Sequence, residues 1–357
     1  MTAKPLESQA RIEGLDLLRG LAIGLVLVRH AWPYKFGGGG IVGVVVFFAL
    51  SGFLITGILH TDLERHGHVR YRRFYRNRIV RLIPALLLML GAFTLVTLTA
   101  DPLHERATLV RDLAVALTYI ADLPYVHGSS ALGHLWTLAV EEQFYLIWPI
   151  VLAIGIQRRS LRGVMLVSAV LMVAACLASM AIASPHIWKI YTLPSSWAIT
   201  LLIGAAAYLE RESLSRLLPQ RGFARFALSL AALGALLTLT IIPGPKDSPF
   251  AYFVMGPGVA VLTVILIFHM RDWQRIPTPW LRPLLALGTI SYAAYLWNYP
   301  LVRWISRLPS YPLKSVSTVL LTIAAATLSW WLIEKPIATW NRRRHAAART
   351  DIAFTAQ

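Results

Sequence analysis

Ten predominantly apolar stretches, most of them near twenty residues long, alternate with short polar connections along the chain. About twenty helical residues cross ~30 Å of hydrocarbon. The pattern therefore predicts an all-α, polytopic membrane protein with about ten transmembrane helices. The predicted spans are 15–32, 41–60, 79–100, 138–156, 163–184, 196–209, 226–242, 250–270, 284–305 and 316–335. The sixth is short and must borrow residues from its flanks. Segment 105–119 is moderately apolar but carries Arg106, Arg111 and Asp112. It is read as an interfacial helix, with a membrane-embedded helix as the alternative.

Composition narrows the class. Hydrophobic residues make up 57% of the chain and charged residues only 14%, against about 25% charged in an ordinary soluble domain. A net charge of +17 could point to nucleic acid, but the basic residues lie between the apolar runs rather than along one soluble helix. Of the 34 Lys and Arg, 25 fall on one side of the ten-span arrangement. By the positive-inside rule that side is cytoplasmic, and with it both termini. No nucleic-acid partner is expected, and the lipid bilayer is the solvent. Cys176 is the single cysteine and has no intrachain disulfide partner. Residues 1–13 are polar and no cleavable signal is expected. Residues 1–340 are read as one transmembrane domain and 341–357 as a basic cytoplasmic tail, expected to be disordered.

Ionisable and polar residues inside the spans are the functional leads, because a charge at mid-bilayer costs about 2.5–3.5 kcal/mol on insertion scales. Arg19 and His30 are eleven residues apart in the first span, three helical turns, so they share a face ~16.5 Å apart along the axis. Either could serve a bland role, Arg19 snorkelling to lipid phosphate and His30 lying at the interface. Arg29 projects about 100° from His30. Ser51 and Gly52 in the second span either let two backbones approach or line a narrow channel. The following loop carries seven arginines from Arg65 to Arg81, more than a topology anchor requires. Arginine forks suit phosphate oxygens, and Arg78 and Arg81 share a helix face. In the fourth span His134, Glu141 and Tyr145 form one stripe if the helix reaches back to His134. Glu141 and Glu142 point about 100° apart, so at most one faces a given site. In the ninth span Ser291, Tyr295 and Asn298 form a polar face, which suits interhelical bonding or substrate contact equally. Glu334 fits a structural ion pair or helix stop.

Together these segments resemble the acyltransferase 3 family of bacterial membrane acyltransferases, with matching pieces from Leu15 to Pro336. Arg19 with His30 resembles its Arg-x10-His motif, Phe47 to Gly52 its FFxxSG motif, and Arg78 with Arg81 its RxxR motif. His134, Trp136, Glu141, Glu142 and Tyr145 resemble its HxW…EExFY segment. Asn298 departs from the pattern, standing where many relatives carry a histidine. The esterase-like domain fused to some relatives is not expected in a chain of this length.

The resemblance implies transfer of an acyl group, usually acetyl from acetyl-CoA. The acceptor is a hydroxyl of a surface polysaccharide or its lipid-linked precursor, and the place is the bacterial inner membrane. It implies His30 as the catalytic residue, a general base or a covalent acyl carrier, with Glu141 or Glu142 orienting it or balancing its charge. It places Arg19, Ser51, Arg78 and Arg81 with the donor. His134, Trp136, Tyr145, Ser291, Tyr295 and Asn298 are the candidates for acceptor contact. No permanently bound cofactor is expected, and no metal-ligand spacing is apparent. A macrolide or glucan acceptor and a succinyl donor are alternatives within the class. The rival from another class is a transporter or flippase, for which inverted repeats would argue. The oligomeric state is not encoded in any of these patterns.

Overall fold

The computed structural model describes residues 12–123, 126, 128–309 and 313–340, and regular structure among the described residues is helical throughout. The helices are α1 (Glu13–Ala31), α2 (Gly39–His66), α3 (Tyr71–Thr99), α4 (Leu109–Leu117), α5 (Trp136–Gln157), α6 (Leu161–Ala183), α7 (Pro194–Leu209), α8 (Arg211–Leu217), α9 (Gly222–Leu239), α10 (Gly256–Met270), α11 (Arg282–Thr289), α12 (Ser291–Ser306) and α13 (Lys314–Ser329). A wider π-helical turn, Ala251–Met255, leads into α10, and another, Trp330–Glu334, follows α13. The tail 341–357 lies outside the described residues.

Seven helical stretches are long and apolar enough to cross a membrane. The three remaining predicted spans fall short for local reasons. α1 carries Glu13, Asp16, Arg19 and Arg29, and α7 has only 16 residues. The stretch 284–305 is two helices, α11 and α12, interrupted at Ile290.

Burial separates a centre from a rim. In α2, 72% of the apolar window is buried, against 6% in α6 and 11% in α9. Leu166, Val167, Val170, Leu171 and Leu177 of α6 are all exposed. Such a contiguous apolar face is unsuited to water and suits lipid chains. α2 stands at the centre, touching α1, α5, α7, α9 and α10, while α1 also meets α10, α11, α12 and α13.

Close helix crossings fix this centre. A Cβ added to Gly52 would lie 2.0 Å from the Leu201 carbonyl oxygen of α7, and one on Gly204 1.9 Å from that of Ala49 in α2. A Cβ on Gly288 of α11 would lie 1.8 Å from the Asp16 carbonyl oxygen of α1. Only glycine permits backbones this close. Gly52 thus takes the packing role, while its neighbour Ser51 points elsewhere. α2 then stops at Gly67, whose φ of 71° suits a left-handed helix cap.

The segment 105–119 corrects the interfacial expectation. It runs back beside α3 instead of lying flat. Arg106 Nε donates to the Thr97 carbonyl at 3.4 Å, near the outer end of α3. Beyond α4, Gln143 Nε2 of α5 donates to Asp122 Oδ2 at 2.8 Å, two turns inside that helix. The chain then returns outward, where Glu105 accepts from Ser129 Oγ at 2.5 Å and from the Ser130 amide at 2.9 Å. The physical reason lies in Asp112: only 1% exposed, it is satisfied inside the protein by Thr108 Oγ1 at 2.7 Å and by Arg111.

Candidate active site

Two polar groups of residues lie in the helical centre. The side of the molecule that carries the arginine-rich loop before α3 is the inner side, and the opposite one the outer side.

The outer group is built on His30, near the end of α1. Its Nδ1 lies 2.5 Å from Asn298 Oδ1 of α12. The other amide atom, Nδ2, donates to Thr322 Oγ1 of α13 at 3.3 Å. Thr322 spends its own proton on the Thr318 carbonyl at 2.7 Å, a turn earlier. This directionality settles the tautomer. A hydroxyl whose proton is committed can only accept from the amide NH2, so Asn298 turns Oδ1 toward His30. His30 Nδ1 therefore carries the hydrogen and donates it, leaving Nε2 as the basic nitrogen. The carbonyl of an uncharged amide thus does the orienting job often given to a carboxylate.

Tyr299 packs against His30 with ring centroids 5.1 Å apart, and against His134 at 5.5 Å. His134 also meets the Tyr295 ring at 5.3 Å. Tyr295 Oη donates to the His134 carbonyl at 2.8 Å and accepts from Thr137 Oγ1 at 2.6 Å. These bonds tie α12 to the start of α5. Both His134 ring nitrogens are buried without a hydrogen-bond partner of sound geometry among the described residues. Trp136 sits apart in an aromatic group with Phe48, Tyr191 and Trp197, at 6.3, 5.2 and 6.4 Å. Ser291 is buried at the first residue of α12, seven residues before Asn298.

The inner group is charged. Arg78 of α3 pairs with Glu142 of α5 at 3.0 Å, and its guanidinium lies 3.5 Å from the centroid of the Tyr145 ring. Tyr145 Oη bonds Ser51 Oγ of α2. Glu141 lies against Ser51 and Tyr145, within electrostatic reach of Arg78. Arg81, one turn further along α3, lies within reach of Arg19, Arg78 and Glu334, groups from three different helical segments, yet it is exposed. Arg19 is held by Asp16 at 2.5 Å. The Nε of Arg78 and Oε1 of Glu334 are buried without hydrogen-bond partners among the described residues.

The structure thus joins Ser51, Arg78, Glu141, Glu142 and Tyr145 in one cluster, with Arg81 and Arg19 beside it, and joins His30, His134, Tyr295 and Asn298 in another. It does not bring Glu141 or Glu142 to His30; Asn298 holds the histidine instead. Sequence reasoning did not single out Thr137, Tyr191, Tyr299 or Thr322. Tyr299 stood in the same polar segment as Asn298, and Thr318 with Thr322 repeat at i, i+4 in the last span, a pattern too common in helices to stand out.

A histidine oriented by an amide thus stands at one end of the helical centre, and arginines are gathered at the other. The chain belongs to the acyltransferase 3 family: the profile of that family's acyltransferase domain matches residues 12–335. It is 31% identical over 93% of its length to the putative peptidoglycan O-acetyltransferase YrhL of Bacillus subtilis, covering 56% of that protein. Identity is 28% over 92% of the chain to the peptidoglycan O-acetyltransferase OatA of Listeria monocytogenes, of which 56% is covered. For the O-acetyltransferase OatA of Staphylococcus aureus it is 26% over 91% of the chain and 57% of that protein. The chain spans little more than half the length of these relatives. No solved structure matches it.

Proposed function

We propose that this protein is a membrane O-acetyltransferase that moves an acetyl group from acetyl-CoA to a sugar hydroxyl of a cell-wall polysaccharide or its lipid-linked precursor. The observation that carries the reading is the hydrogen-bond chain ending on His30, which leaves Nε2 free to accept a proton. His30 Nε2 takes the proton of the acceptor hydroxyl as that oxygen attacks the thioester carbonyl. The new C–O bond forms, the C–S bond breaks, and the proton held on His30 Nε2 passes to the departing CoA sulfur, so that CoA leaves toward the inner side as the thiol and the histidine is neutral again.

The inner group suits the donor. Arg78 and Arg81 offer bidentate forks for CoA phosphate oxygens, and the unpartnered Nε of Arg78 is a donor in need of an acceptor. Arg19 marks the same level as Arg81, and His30 stands three turns above it, ~16.5 Å away. An extended pantetheine arm is of that order, so phosphates at the arginines would bring the thioester to the histidine past Ser51 and Tyr145. The peptidoglycan named for two of the relatives supports a wall-glycan acceptor.

The charge pattern supports ten spans with both termini in the cytoplasm of a bacterial inner membrane. Reporter fusions at Arg159 and Arg344 should read cytoplasm and one at Lys246 the exterior; an exterior Arg344 would overturn this topology. The function is tested with purified protein, radiolabelled acetyl-CoA and isolated wall glycan. Acetyl ester on the glycan that depends on His30 supports the reading. Passage of glycan across a vesicle membrane without ester formation would replace it with a flippase.

A further inference from the structure

Beside the histidine lies a cation that the proposed reaction does not use. Arg29 precedes His30 on α1, and its side chain is fastened at the stem. Nε donates to the Gly37 carbonyl at 3.0 Å. A Cβ added to Gly39 or Gly40 would stand 3.3 Å from the Arg29 Cβ or Cγ, so the glycines at the start of α2 wrap the aliphatic part closely. The guanidinium is half-buried, and no carboxylate among the described residues forms an ion pair with it. Holding a partly desolvated charge without a counter-charge is unfavourable. An arginine anchored through Nε keeps its two terminal nitrogens for a planar acid group.

Two tyrosines complete the surroundings. Tyr191 lies within electrostatic reach of Arg29 and of Tyr299, and Tyr299 packs on His30. Both are half-buried, and neither hydroxyl has a hydrogen-bond partner among the described residues. Tyr191 is braced from behind by Trp136 and Trp197, at 5.2 and 5.8 Å. Rigid aromatic faces with free polar tips are well suited to a sugar ring, which offers both C–H faces and hydroxyls.

We propose that Arg29, Tyr191 and Tyr299 form the acceptor subsite on the outer side of His30, and that it selects a sugar bearing a negative charge, a carboxylate or phosphate whose oxygens engage Arg29. This rests on the acetyl-transfer reading and adds the class of acceptor. The anion fixes the ring, and the ring then presents its hydroxyl to His30 Nε2 on the next residue.

The test measures binding, so that it stands apart from catalysis. Full-length protein in nanodiscs is titrated with three probes. The first is peptide-stripped peptidoglycan strands with free lactyl carboxylates. The second is the same strands with the carboxylates converted to methylamides. The third is a disaccharide on a polyprenyl diphosphate. Wild-type protein should bind one anionic probe about tenfold or more tightly than the amidated strands, the ratio expected for a charge-assisted bond. Arg29→Gln should bring the ratio near one, and Arg29→Lys should retain part of it. Preference for carboxylated strands assigns the anion to the sugar acid; preference confined to the third probe assigns it to the diphosphate. Equal binding of all three by wild type would overturn the subsite, as would an Arg29→Gln protein of normal thermal stability that keeps the ratio. Arg29-dependent binding without acetyl transfer would instead remove the reaction and leave the subsite.

Discussion

The outer and inner groups share α1 and α5 but otherwise stand on different helices, and they solve the problem of polarity in a membrane in opposite ways. Around His30 the partners are an amide, hydroxyls and tyrosines, and the hydrogen bonds run in one direction to a backbone carbonyl. Around Arg78 the partners are carboxylates and further arginines. A neutral network can hold a base in one tautomer without setting a counter-charge beside it. A charged cluster with spare donors can exchange its internal pairs for an anionic ligand. Polarity at the outer end is thus neutral and directional, and at the inner end charged and paired.

His30 is where this contrast is most exposed. A His30→Gln protein keeps a hydrogen-bonding side chain but has no basic nitrogen. Its acetyl transfer should fall by roughly the hundredfold to ten-thousandfold typical of a lost general base, while acetyl-CoA binding measured by titration stays intact. Near-normal turnover would remove the base from the outer group. A trapped acetyl-histidine would make it a covalent carrier instead.

Arg78→Ala probes the inner group and should do the reverse. Acetyl-CoA affinity should weaken by about 1.5–3 kcal/mol, the worth of a charge-assisted hydrogen bond. Because Glu142 then loses its partner, Arg78→Ala/Glu142→Gln should recover stability but not affinity. Unchanged CoA affinity in a well-inserted Arg78→Ala protein would separate the arginines from the donor.

Gly204→Ala disturbs the frame of only one group. The new Cβ meets the Ala49 carbonyl oxygen at 1.9 Å, so α2 and α7 must separate near Ser51. A loss of about 1–3 kcal/mol in stability is expected from overpacking, read as a lower unfolding midpoint in detergent. Donor affinity should fall further than in Gly234→Ala, where a Cβ meets nothing within 4 Å.

The smallest effect is expected at Thr322→Val. It keeps the shape and removes the acceptor for Asn298 Nδ2, a neutral hydrogen bond worth about 1 kcal/mol. Turnover should drop several-fold without a change in donor affinity, and the pH–rate profile should move because His30 is held less firmly in one tautomer. A purely structural threonine would lower stability and leave the profile in place.

Much of this organisation is legible in the sequence. The helical class follows from the length of the apolar runs, and Ser51, Arg78, Glu141, Glu142 and Tyr145 are each marked by being polar where lipid should be. Their pairing is not legible. Arg78 and Glu142 are 64 residues apart, and no periodicity within one helix reports which face of another it meets. The partner of His30 is not legible for the same reason. A carboxylate is the expected companion of a catalytic histidine, whereas Asn298 reaches it from 268 residues away. The break at Ile290 escaped because hydrophobicity averages over a helix interruption of a single residue. The inward course of 105–119 escaped because its satisfied Asp112 looks like a surface charge in sequence.

That inward segment also constrains how the protein is made. α4 has nine residues, ~13.5 Å of helix, less than half the hydrocarbon thickness. It cannot be retained by a translocon as a span, and its aspartate would oppose entry into lipid on its own. Among the described residues the Asp122 side chain is bonded by Gln143, which leaves the ribosome about twenty residues later. The hydrogen bond that holds Asp122 inside the protein can therefore form only once the start of α5 has been made. A nascent chain halted before Gln143 would lack that bond and Tyr145 as well, and so would have no finished inner site.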